Sequence, residues 1–483
     1  MNAKIIVWYV GVALLLVSAL MTVSGIIACC TPGDVSRMPL LFSAFATGIV
    51  GFFPLIFIRS GQHQLNFREA NCIVVVSWLV GCLFGMFPYF FYGGDFNLVN
   101  ALFESVSGFT TTGASILTDI EALPRGLQFW RIATAWVGGI GIVTLFSRLM
   151  IGRQDQAKLS GTAISTMARA GMSSGRSERF ANRILVTYIV LTFVTLFALK
   201  LTGLGWFDAA TTAMSACSTC GFCDRNASIA SFANPAAEVV LTFAMLASGI
   251  NFGLLFLTFV RGSGKSVFKS EIFRVFFGMV VLCTVLITQD LLTRGGYTSF
   301  GAALRDAAFQ VTSISTTTGF ATQDTTLWPP LSMGILVACS LFCGCSGSTS
   351  GGIKMDRLLL ALKGVGKKMR NFMNPSAVYT IRMDGVPRSE RQVNDTFGFI
   401  FCYLIILGVG GIINMAGGLD FTTAVTASIA CIGNVGPGFG EVGSMANYGD
   451  FPVLLKISGM LEMLVGRLEI FPILYLLQGF RER

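Results

Sequence analysis

Histidine is almost absent from this 483-residue chain, which contains only His63. That scarcity argues against histidine metal sites and against acid–base catalysis by imidazole. Charge is also scarce, because only 12% of the residues are Asp, Glu, Lys or Arg, whereas a soluble domain has about a quarter. With 53% hydrophobic residues and a mean hydropathy of +0.70, the composition argues against a soluble all-α protein.

The 13 cysteines do not form a recognisable framework for disulfides or metal. They lie within apolar runs, where a free cysteine behaves as a small hydrophobic residue, and their number is odd. Cys217, Cys220 and Cys223 have the spacing of some iron–sulfur ligands but lack a fourth local ligand. We therefore predict no cluster there. Two phosphate-loop lookalikes, at 264–266 and 366–368, lack the earlier glycine, so the chain itself is predicted not to bind nucleotide.

The formal charge of +9 is distributed in a way that favours membrane topology over nucleic-acid binding. Residues 148–183 hold seven Lys or Arg against two acids, and residues 353–396 hold nine against four. Residues 416–451 hold no Lys or Arg and three acids. Basic and acidic segments alternate between spans, as the positive-inside rule expects. The basic charge therefore marks cytoplasmic loops, and no nucleic-acid partner is predicted.

Ten hydrophobic stretches are candidates for bilayer spans, which need about 20 mostly apolar residues. They lie at residues 5–29, 39–58, 71–92, 129–150, 184–203, 236–260, 273–292, 331–345 continuing through a Gly-rich break to about 363, 397–415 and 452–479. Ten spans place both termini on one side. The basic segments 59–71, 148–183, 261–272 and 353–396 share that side with Arg481 and Arg483, so it is predicted to be the cytoplasm.

Four short loops rich in hydroxyls or glycine follow helix-like runs and fall on the opposite side of the predicted membrane. Their glycines are spaced by 108, 98 and 117 residues, and the loops read Thr110-Thr111-Thr112-Gly113, Ser218-Thr219-Cys220-Gly221, Thr316-Thr317-Thr318-Gly319 and Ile432-Gly433-Asn434-Val435-Gly436. Each lies between an outgoing and an incoming span, so each is predicted to be re-entrant. Four such loops suggest one pore made from four copies of one unit.

The predicted unit is a span, a capped short helix, a glycine loop and a second span. Asn100, Asp208, Asp306 and Asp420 are the predicted N-caps, since Asn and Asp favour that position. The first three lie 13 residues before their loop glycines, but Asp420 lies 16 before Gly436, which predicts a lengthened fourth loop. The predicted segments are an extra N-terminal helix pair at 1–62 and pore repeats at 63–155, 156–265, 266–370 and 371–483.

Such loops suit a cation pathway. Backbone inside a membrane leaves the helical conformation only where protein or a water-filled cavity surrounds it. Backbone carbonyls can replace the water shell of an ion, and four loops can close one ring of them. Glycine permits the required conformations, and the ends of the short helices direct partial negative charge inward. An ordinary glycine-terminated helix remains the alternative for any single loop.

These segments resemble the Trk/Ktr/HKT superfamily of potassium transporters, and within it the bacterial TrkH/TrkG branch. The resemblance is carried by the first, third and fourth glycine loops, Trp130-Arg131, Trp136-Val137-Gly138-Gly139-Ile140-Gly141-Ile142, Gly347-Ser348-Thr349-Ser350-Gly351-Gly352-Ile353-Lys354 and Gly466-Arg467-Leu468-Glu469-Ile470-Phe471. It implies an all-α polytopic protein of the bacterial inner membrane, with two extra helices before four helix–pore-loop–helix repeats. It also implies potassium uptake through a central pore.

The resemblance assigns the potassium-ion filter to the four loops. Its predicted residues are Thr110, Thr111, Thr112, Gly113, Ser218, Thr219, Cys220, Gly221, Thr316, Thr317, Thr318, Gly319, Asn434, Val435 and Gly436. In this family a glycine in each loop goes with potassium preference, and a serine in the first loop with sodium. The cysteines around Gly221 depart from the family pattern, so a sodium-permeable relative is an alternative.

Residues 344–353 interrupt an apolar stretch. They form either a flexible kink or, as the resemblance implies, an intramembrane loop that blocks the pore below the filter and moves aside to open it. The predicted gate residues are Gly344, Ser346, Gly347, Ser348, Thr349, Ser350, Gly351, Gly352 and Arg467. A mid-span arginine is costly. Arg467 is therefore either paired with Glu462 or Glu469, or placed in the conduction path to repel cations, and both can hold.

The resemblance further implies a homodimer and a TrkA-like cytoplasmic ring that binds nucleotides and regulates transport. The basic segments 148–183 and 353–396 are the predicted docking surfaces, and anionic membrane lipid would be attracted to them too. A symporter coupled to H⁺ or Na⁺ is another alternative, with Glu462 and Glu469 as the candidate carboxylates. An enzyme is not predicted, because the sequence offers no carboxylate cluster and no nucleophile–base pair.

Overall fold

The structure is a computed structural model that describes residues 3–58, 67–149, 174–260 and 266–474. His63, Arg481 and Arg483 lie outside the described residues, as do residues 59–66, 150–173 and 261–265 of the predicted basic segments. The described chain is built almost entirely from helices.

The helices, in chain order, are α1 (Ala3–Cys30), α2 (Arg37–Phe57), α3 (Phe67–Gly85), α4 (Phe87–Tyr92), α5 (Leu98–Phe109), α6 (Arg125–Leu149), α7 (Ser174–Leu201), α8 (Trp206–Ser218), α9 (Pro235–Ser248), α10 (Phe252–Val260), α11 (Ser266–Lys269), α12 (Glu271–Arg294), α13 (Phe300–Ser315), α14 (Pro330–Leu341), α15 (Met355–Met373), α16 (Glu390–Ala416), α17 (Phe421–Gly433) and α18 (Val453–Arg467). Two strand pairs are very short. β1 (Phe342–Cys343) runs parallel to β2 (Ile353–Lys354), and β3 (Arg382–Met383) runs antiparallel to β4 (Val386–Pro387).

Six helical segments in the described residues are long and apolar enough to cross a membrane. They are α1, α2, α3 together with α4, most of α7, α12 and α16, and each coincides with a predicted span. The predicted span at 129–150 corresponds to α6. The short helices α5, α8, α13 and α17 each precede one of the four glycine loops, as the predicted unit requires.

Two predicted spans are broken where hydropathy indicated continuous helices. The span at 236–260 consists of α9 and α10, which meet at an angle of 106°. Asn251 causes the second helix to restart, because its Oδ1 accepts hydrogen bonds from the backbone N–H groups of Gly253 and Leu254 at 2.9 and 3.2 Å. The last span ends its first helix at Arg467, and Glu469 and Ile470 then adopt positive φ values.

One of the four predicted N-caps is confirmed and three are wrong. Asp420 caps α17, since its carboxylate accepts from the N–H groups of Thr422 and Thr423 at 2.9 and 3.2 Å. The helices α5, α8 and α13 instead follow Asn97, Gly205 and Ser299, so Asn100, Asp208 and Asp306 lie inside them. Asn97 does the capping of α5, because its backbone is extended and its side chain reaches the N–H of Asn100.

The polarity of the packing is inverted relative to a soluble protein. Large exposed side chains such as Phe53, Phe193, Leu282 and Phe401 lie on the long helices, as contact with lipid would require. The ends of α5, α8, α13 and α17 are buried instead, together with the Ser and Thr side chains near those ends. The fold thus places the four glycine loops in the interior.

Candidate functional site

The four glycine loops share one backbone conformation. Each contains a non-glycine residue in the left-handed region two positions before its glycine: Thr111 (φ 52°), Thr219 (φ 55°), Thr317 (φ 56°) and Asn434 (φ 52°). The glycines themselves also have positive φ: 82° at Gly113, 80° at Gly221, 80° at Gly319 and 95° at Gly436. Such φ values are uncommon outside glycine, so their occurrence at the same place in all four loops identifies equivalent positions.

The glycines also lie against one another's loops in a closed order. A Cβ atom on Gly113 would collide with the carbonyl oxygen of Cys220, and one on Gly221 with that of Thr318. A Cβ on Gly319 would collide with the carbonyl of Val435, and one on Gly436 with that of Thr112. Each of these carbonyls belongs to the residue before the next loop's glycine. The four loops therefore form a ring in which backbone meets backbone.

The fourth loop is not lengthened, contrary to the sequence prediction. Asn97, Gly205 and Asp420 precede their helices, and each lies 16 residues before Gly113, Gly221 or Gly436. The third unit is the different one, with 20 residues between Ser299 and Gly319. The apparent lengthening came from the wrong caps.

The first and third loops are braced alike by hydroxyl pairs. Thr110 Oγ1 and Thr112 Oγ1 lie 2.8 Å apart, and Thr316 Oγ1 and Thr318 Oγ1 lie 2.8 Å apart. Cys220 takes the place of the second threonine in the second loop, where it is buried beside Ile132 and other apolar groups. The ring therefore alternates between two loops braced by threonine pairs and two that are held differently.

Asn434 ties the fourth loop to its surroundings. Its Nδ2 donates to Thr112 Oγ1 in the first loop and to the carbonyl of Met463 in α18, both at 3.0 Å. Tyr448 Oη donates to the carbonyl of Gly436 at 3.0 Å. The role of Tyr448 was not predicted, since the only sequence signal is one tyrosine in an irregular segment.

The three cysteines near the second loop face three different neighbours. Cys217 Sγ lies 3.7 Å from Thr195 Oγ1, Cys223 Sγ lies 3.5 Å from Asp224 Oδ1, and Cys220 packs among apolar side chains. No group of three or more His, Cys, Asp or Glu suited to holding a metal occurs among the described residues. The three cysteines therefore do not face one another as a single cluster.

The predicted gate residues form a buried loop against the ring. β1 and β2 pair at its base, so residues 344–352 leave and re-enter at one place. At its tip the N–H of Gly351 donates to Thr317 Oγ1 at 2.8 Å, and a Cβ on Gly351 would collide with the carbonyl of Gly433. Thr349 Oγ1 donates to the carbonyl of Cys217 at 3.1 Å. The loop thus touches the second, third and fourth units.

The break between α9 and α10 holds the other side of this loop. Asn251 Nδ2 donates to the carbonyl of Ser346 at 2.6 Å, and the N–H of Phe252 donates to the carbonyl of Gly347 at 3.0 Å. The N–H of Cys345 donates to the carbonyl of Gly249 at 2.9 Å. The role of Asn251 was not predicted, although an asparagine in the middle of a hydrophobic span was a visible signal.

Other polar contacts of the loop come from the chain that follows it and from within the loop. Ser346 Oγ donates to Asp356 Oδ1 at 2.5 Å, and the N–H of Ser346 donates to the same atom at 3.2 Å. Lys354 Nζ donates to the carbonyl of Ser350. This segment, rich in glycine and serine, is thereby held in place by several hydrogen bonds.

Arg467, at the end of α18, lies beneath the ring and hydrogen-bonds to the loop. It is 3% exposed, and it donates from Nη1 to the carbonyl of Thr349 at 2.7 Å and from Nη2 to the carbonyl of Gly138 at 3.1 Å. The predicted alternative of a pair with Glu462 or Glu469 does not match these partners. Glu469 pairs with Arg357 at 2.5 Å, and Glu462 accepts from Ser428 Oγ at 2.5 Å.

Comparisons with known proteins agree with this architecture. The TrkH family model, described as "Cation transport protein", matches residues 41–478. The Trk system potassium uptake protein TrkH of Salmonella typhimurium is 31% identical over 486 residues, which cover 99% of this chain and 98% of that protein. TrkG of Escherichia coli is 30% identical over 420 residues, covering 86% of each.

A solved structure is similar over the whole length. The crystal structure of the potassium transporter TrkH from Vibrio parahaemolyticus superimposes with a TM-score of 0.90 at 31% identity and covers 100% of both chains. The predicted all-α polytopic membrane fold is confirmed, and the relatives are transporters rather than enzymes. The chain belongs to the TrkH family of cation transport proteins.

Proposed function

We propose that this protein takes up potassium ions across the bacterial inner membrane, through the ring formed by its four glycine loops. The observation that carries the proposal is the closed order in which each loop glycine lies against the carbonyl of the next loop. Backbone oxygens gathered in this way can replace the hydration shell of an ion. Similar proteins are named as potassium uptake proteins, which agrees with the chemistry of the ring.

The electrostatics of the short helices support a cation pathway. Helices α5, α8, α13 and α17 all end at the ring, so their partial negative C-terminal charges converge there. The inside-negative membrane potential adds about 2.3 kcal/mol per unit charge per 100 mV to inward passage. A passive pore of this kind takes up K⁺ without a further energy source.

Ion flux in proteoliposomes tests the function. Purified protein should carry K⁺ and Rb⁺ and admit Na⁺ poorly, as measured by reversal potentials in bi-ionic gradients. Equal permeability to K⁺ and Na⁺ would favour the sodium-permeable alternative. Absence of flux for all three ions in folded protein would overturn the proposal.

The buried loop 344–352 is the proposed gate, and Arg467 is its proposed electrostatic barrier. The loop bonds to Thr317 and to the carbonyl of Cys217 directly under the ring, and Arg467 anchors its tip. A positive charge in that position repels cations. Deletion of residues 347–350 should raise basal flux, and a deletion variant no leakier than the parent would count against the gate.

The coupled-symporter alternative finds less support. Glu462 is 5% exposed and accepts a hydrogen bond from Ser428 of α17, and Glu469 forms an ion pair with Arg357. Neither carboxylate contacts a glycine loop through a described hydrogen bond. A current that is independent of the pH gradient would exclude proton coupling. A current that requires the gradient would support the symporter alternative.

A cytoplasmic ring that binds nucleotides is the proposed regulator, acting on a homodimer with both termini in the cytoplasm. The relatives' designation as parts of a Trk system suggests a partner. After the gate, α15 carries the exposed Lys368 and Arg370 beside Lys367, which pairs with Glu390 at 2.7 Å. Anionic lipid is the competing partner for this charge. Replacing all three with glutamate should weaken partner binding to the reconstituted protein. If the variant still binds the partner but no longer depends on anionic lipid, these basic residues bind lipid and not the partner.

A further inference from the structure

A buried ion pair lies directly behind the first two glycine loops. Arg131 of α6 and Glu104 of α5 pair through Nε and Oε1, and their side chains are 2% and 0% exposed. A buried pair of this kind contributes little net stability, because removing two charges from water costs about as much as their attraction returns. Its surroundings indicate what else it does.

The Glu104 side holds the chain that leaves the first loop. Its carboxylate accepts from Ser115 Oγ at 3.1 and 3.2 Å and from the backbone N–H of Ile116 at 3.2 Å. These residues follow Gly113 by two and three positions. Glu104 therefore positions the outer exit of the first loop.

Arg131, the other member of the pair, contacts the chain that leaves the second loop. Its Nη1 donates to the carbonyl of Cys223 at 2.9 Å, and its guanidinium lies 3.8 Å from the ring centroid of Phe222. Phe222 and Cys223 follow Gly221 by one and two positions. The two side chains thus connect the exits of neighbouring loops through one salt bridge.

We propose that Arg131 and Glu104 are positioning residues that set the separation of the first and second loops and thereby the ion selectivity of the ring. This inference rests on the proposed function of the ring. The positions nine residues before the other three glycines hold Thr212, Gln310 and Ala427, so no other loop has an acid there. The pair lies at the boundary with the cysteine-containing loop, which lacks the threonine pair that braces the first and third loops.

Arginine is specifically required by this geometry. The planar guanidinium pairs with Glu104, donates to the Cys223 carbonyl and stacks on Phe222 at the same time. A lysine ammonium keeps the charge but has neither the fork nor the flat face. Arg131→Lys therefore preserves charge neutrality while releasing the second loop.

The test measures the K⁺/Na⁺ permeability ratio of reconstituted Arg131→Lys protein from reversal potentials. We expect the ratio to fall at least about threefold, with an unchanged elution profile in detergent. Arg305→Lys is the matched control, since Arg305 pairs with Glu238 at 2.9 Å and is 36% exposed. It should leave the ratio unchanged. A folded Arg131→Lys protein with the parental ratio would overturn the inference.

Phe222→Leu decides the matter if Arg131→Lys fails to fold. This substitution removes the ring on which Arg131 stacks and leaves Arg131 and Glu104 paired. A lowered K⁺/Na⁺ permeability ratio supports the positioning role, and an unchanged ratio overturns it. Parent protein and Gly113→Ser are measured in the same assay. If the parent does not select K⁺, or if Gly113→Ser keeps the parental ratio, the proposed function of the ring fails, and that outcome is distinct from a failure confined to Arg131.

Discussion

The backbone N–H of Gly351 donates a hydrogen bond to Thr317 Oγ1 at 2.8 Å. The proposed gate and the third glycine loop are therefore in direct contact, with no residue between them. Movement of the loop must break this hydrogen bond, and a substitution at Thr317 must change how firmly the loop is held. Gate and ring are coupled by a contact that substitution can test.

Thr317→Val should raise basal K⁺ flux, about threefold or more, because it removes the acceptor of Gly351 and leaves a buried N–H unpaired. Thr219→Val is the matched control. Thr219 has the same left-handed backbone, but its hydroxyl donates to the carbonyl of Ser218 at 2.7 Å. Flux in proteoliposomes without partner measures both. Equal leak in the two variants would show that strain at the left-handed position, and not the gate contact, is responsible.

Gly319→Ser should lower the K⁺/Na⁺ permeability ratio by tenfold or more, which corresponds to about 1.4 kcal/mol. The new Cβ would collide with the carbonyl of Val435, and φ is 80°, so the loop must shift whichever rotamer the serine adopts. Gly334→Ser is the control, since a Cβ at Gly334 in α14 meets nothing within 4 Å. An unchanged reversal potential in folded Gly319→Ser protein would refute the filter assignment.

Arg467→Ala should raise basal flux while the protein stays folded. The change removes a positive charge beneath the ring and frees the carbonyls of Thr349 and Gly138. We expect at least a severalfold increase, measured with the thermal transition of the same preparation. Lys363→Ala is the control and should not leak. It loses an ion pair with Glu271 in which the two side chains are 29% and 31% exposed. Loss of folded Arg467→Ala protein would indicate a structural role instead.

Asp224, in the segment between α8 and α9, should make stability depend on pH. Burial, together with a hydrogen bond and repulsion from Asp208, raises the pKa of Asp224 to about 6. The folded state therefore holds the proton more tightly than the unfolded state, and this stabilisation is lost as pH rises through about 6. The melting temperature of Asp224→Asn relative to the parent should increase between about pH 4.5 and pH 7.5.

Asp119 serves as a control for that titration, because its pKa is shifted in the opposite direction. Hydrogen bonds from Asn226 and from the N–H of Ala122 lower the pKa of this exposed carboxyl. Its contribution is present above the unfolded pKa and is lost only as pH falls through the folded value. Asp119→Asn should therefore show a constant offset over the same range. If the relative melting temperatures of both variants rise with pH in the same way, Asp224 is not the cause of the pH dependence.

Hydropathy and glycine spacing predicted much of the fold correctly. In the part of the chain that the structure describes, six helical segments are long enough to cross a membrane and match predicted spans, and short helices precede all four glycine loops. The helix starts were predicted poorly, because Asn100 and Asp208 are as plausible caps in sequence as Asn97 and Gly205. Which residue caps a helix depends on where the chain leaves its extended conformation, and neighbouring elements decide that.

The sequence by itself determined that four apolar units each carry a glycine loop, because periodic hydropathy and the need for glycine at positive φ are local properties. Tertiary structure decided how those loops meet. The closed order of glycines against carbonyls, the contact between Gly351 and Thr317, and the pair of Arg131 with Glu104 all join residues that are distant in the chain. Such contacts depend on how whole helices pack around the centre, and no local pattern encodes that packing.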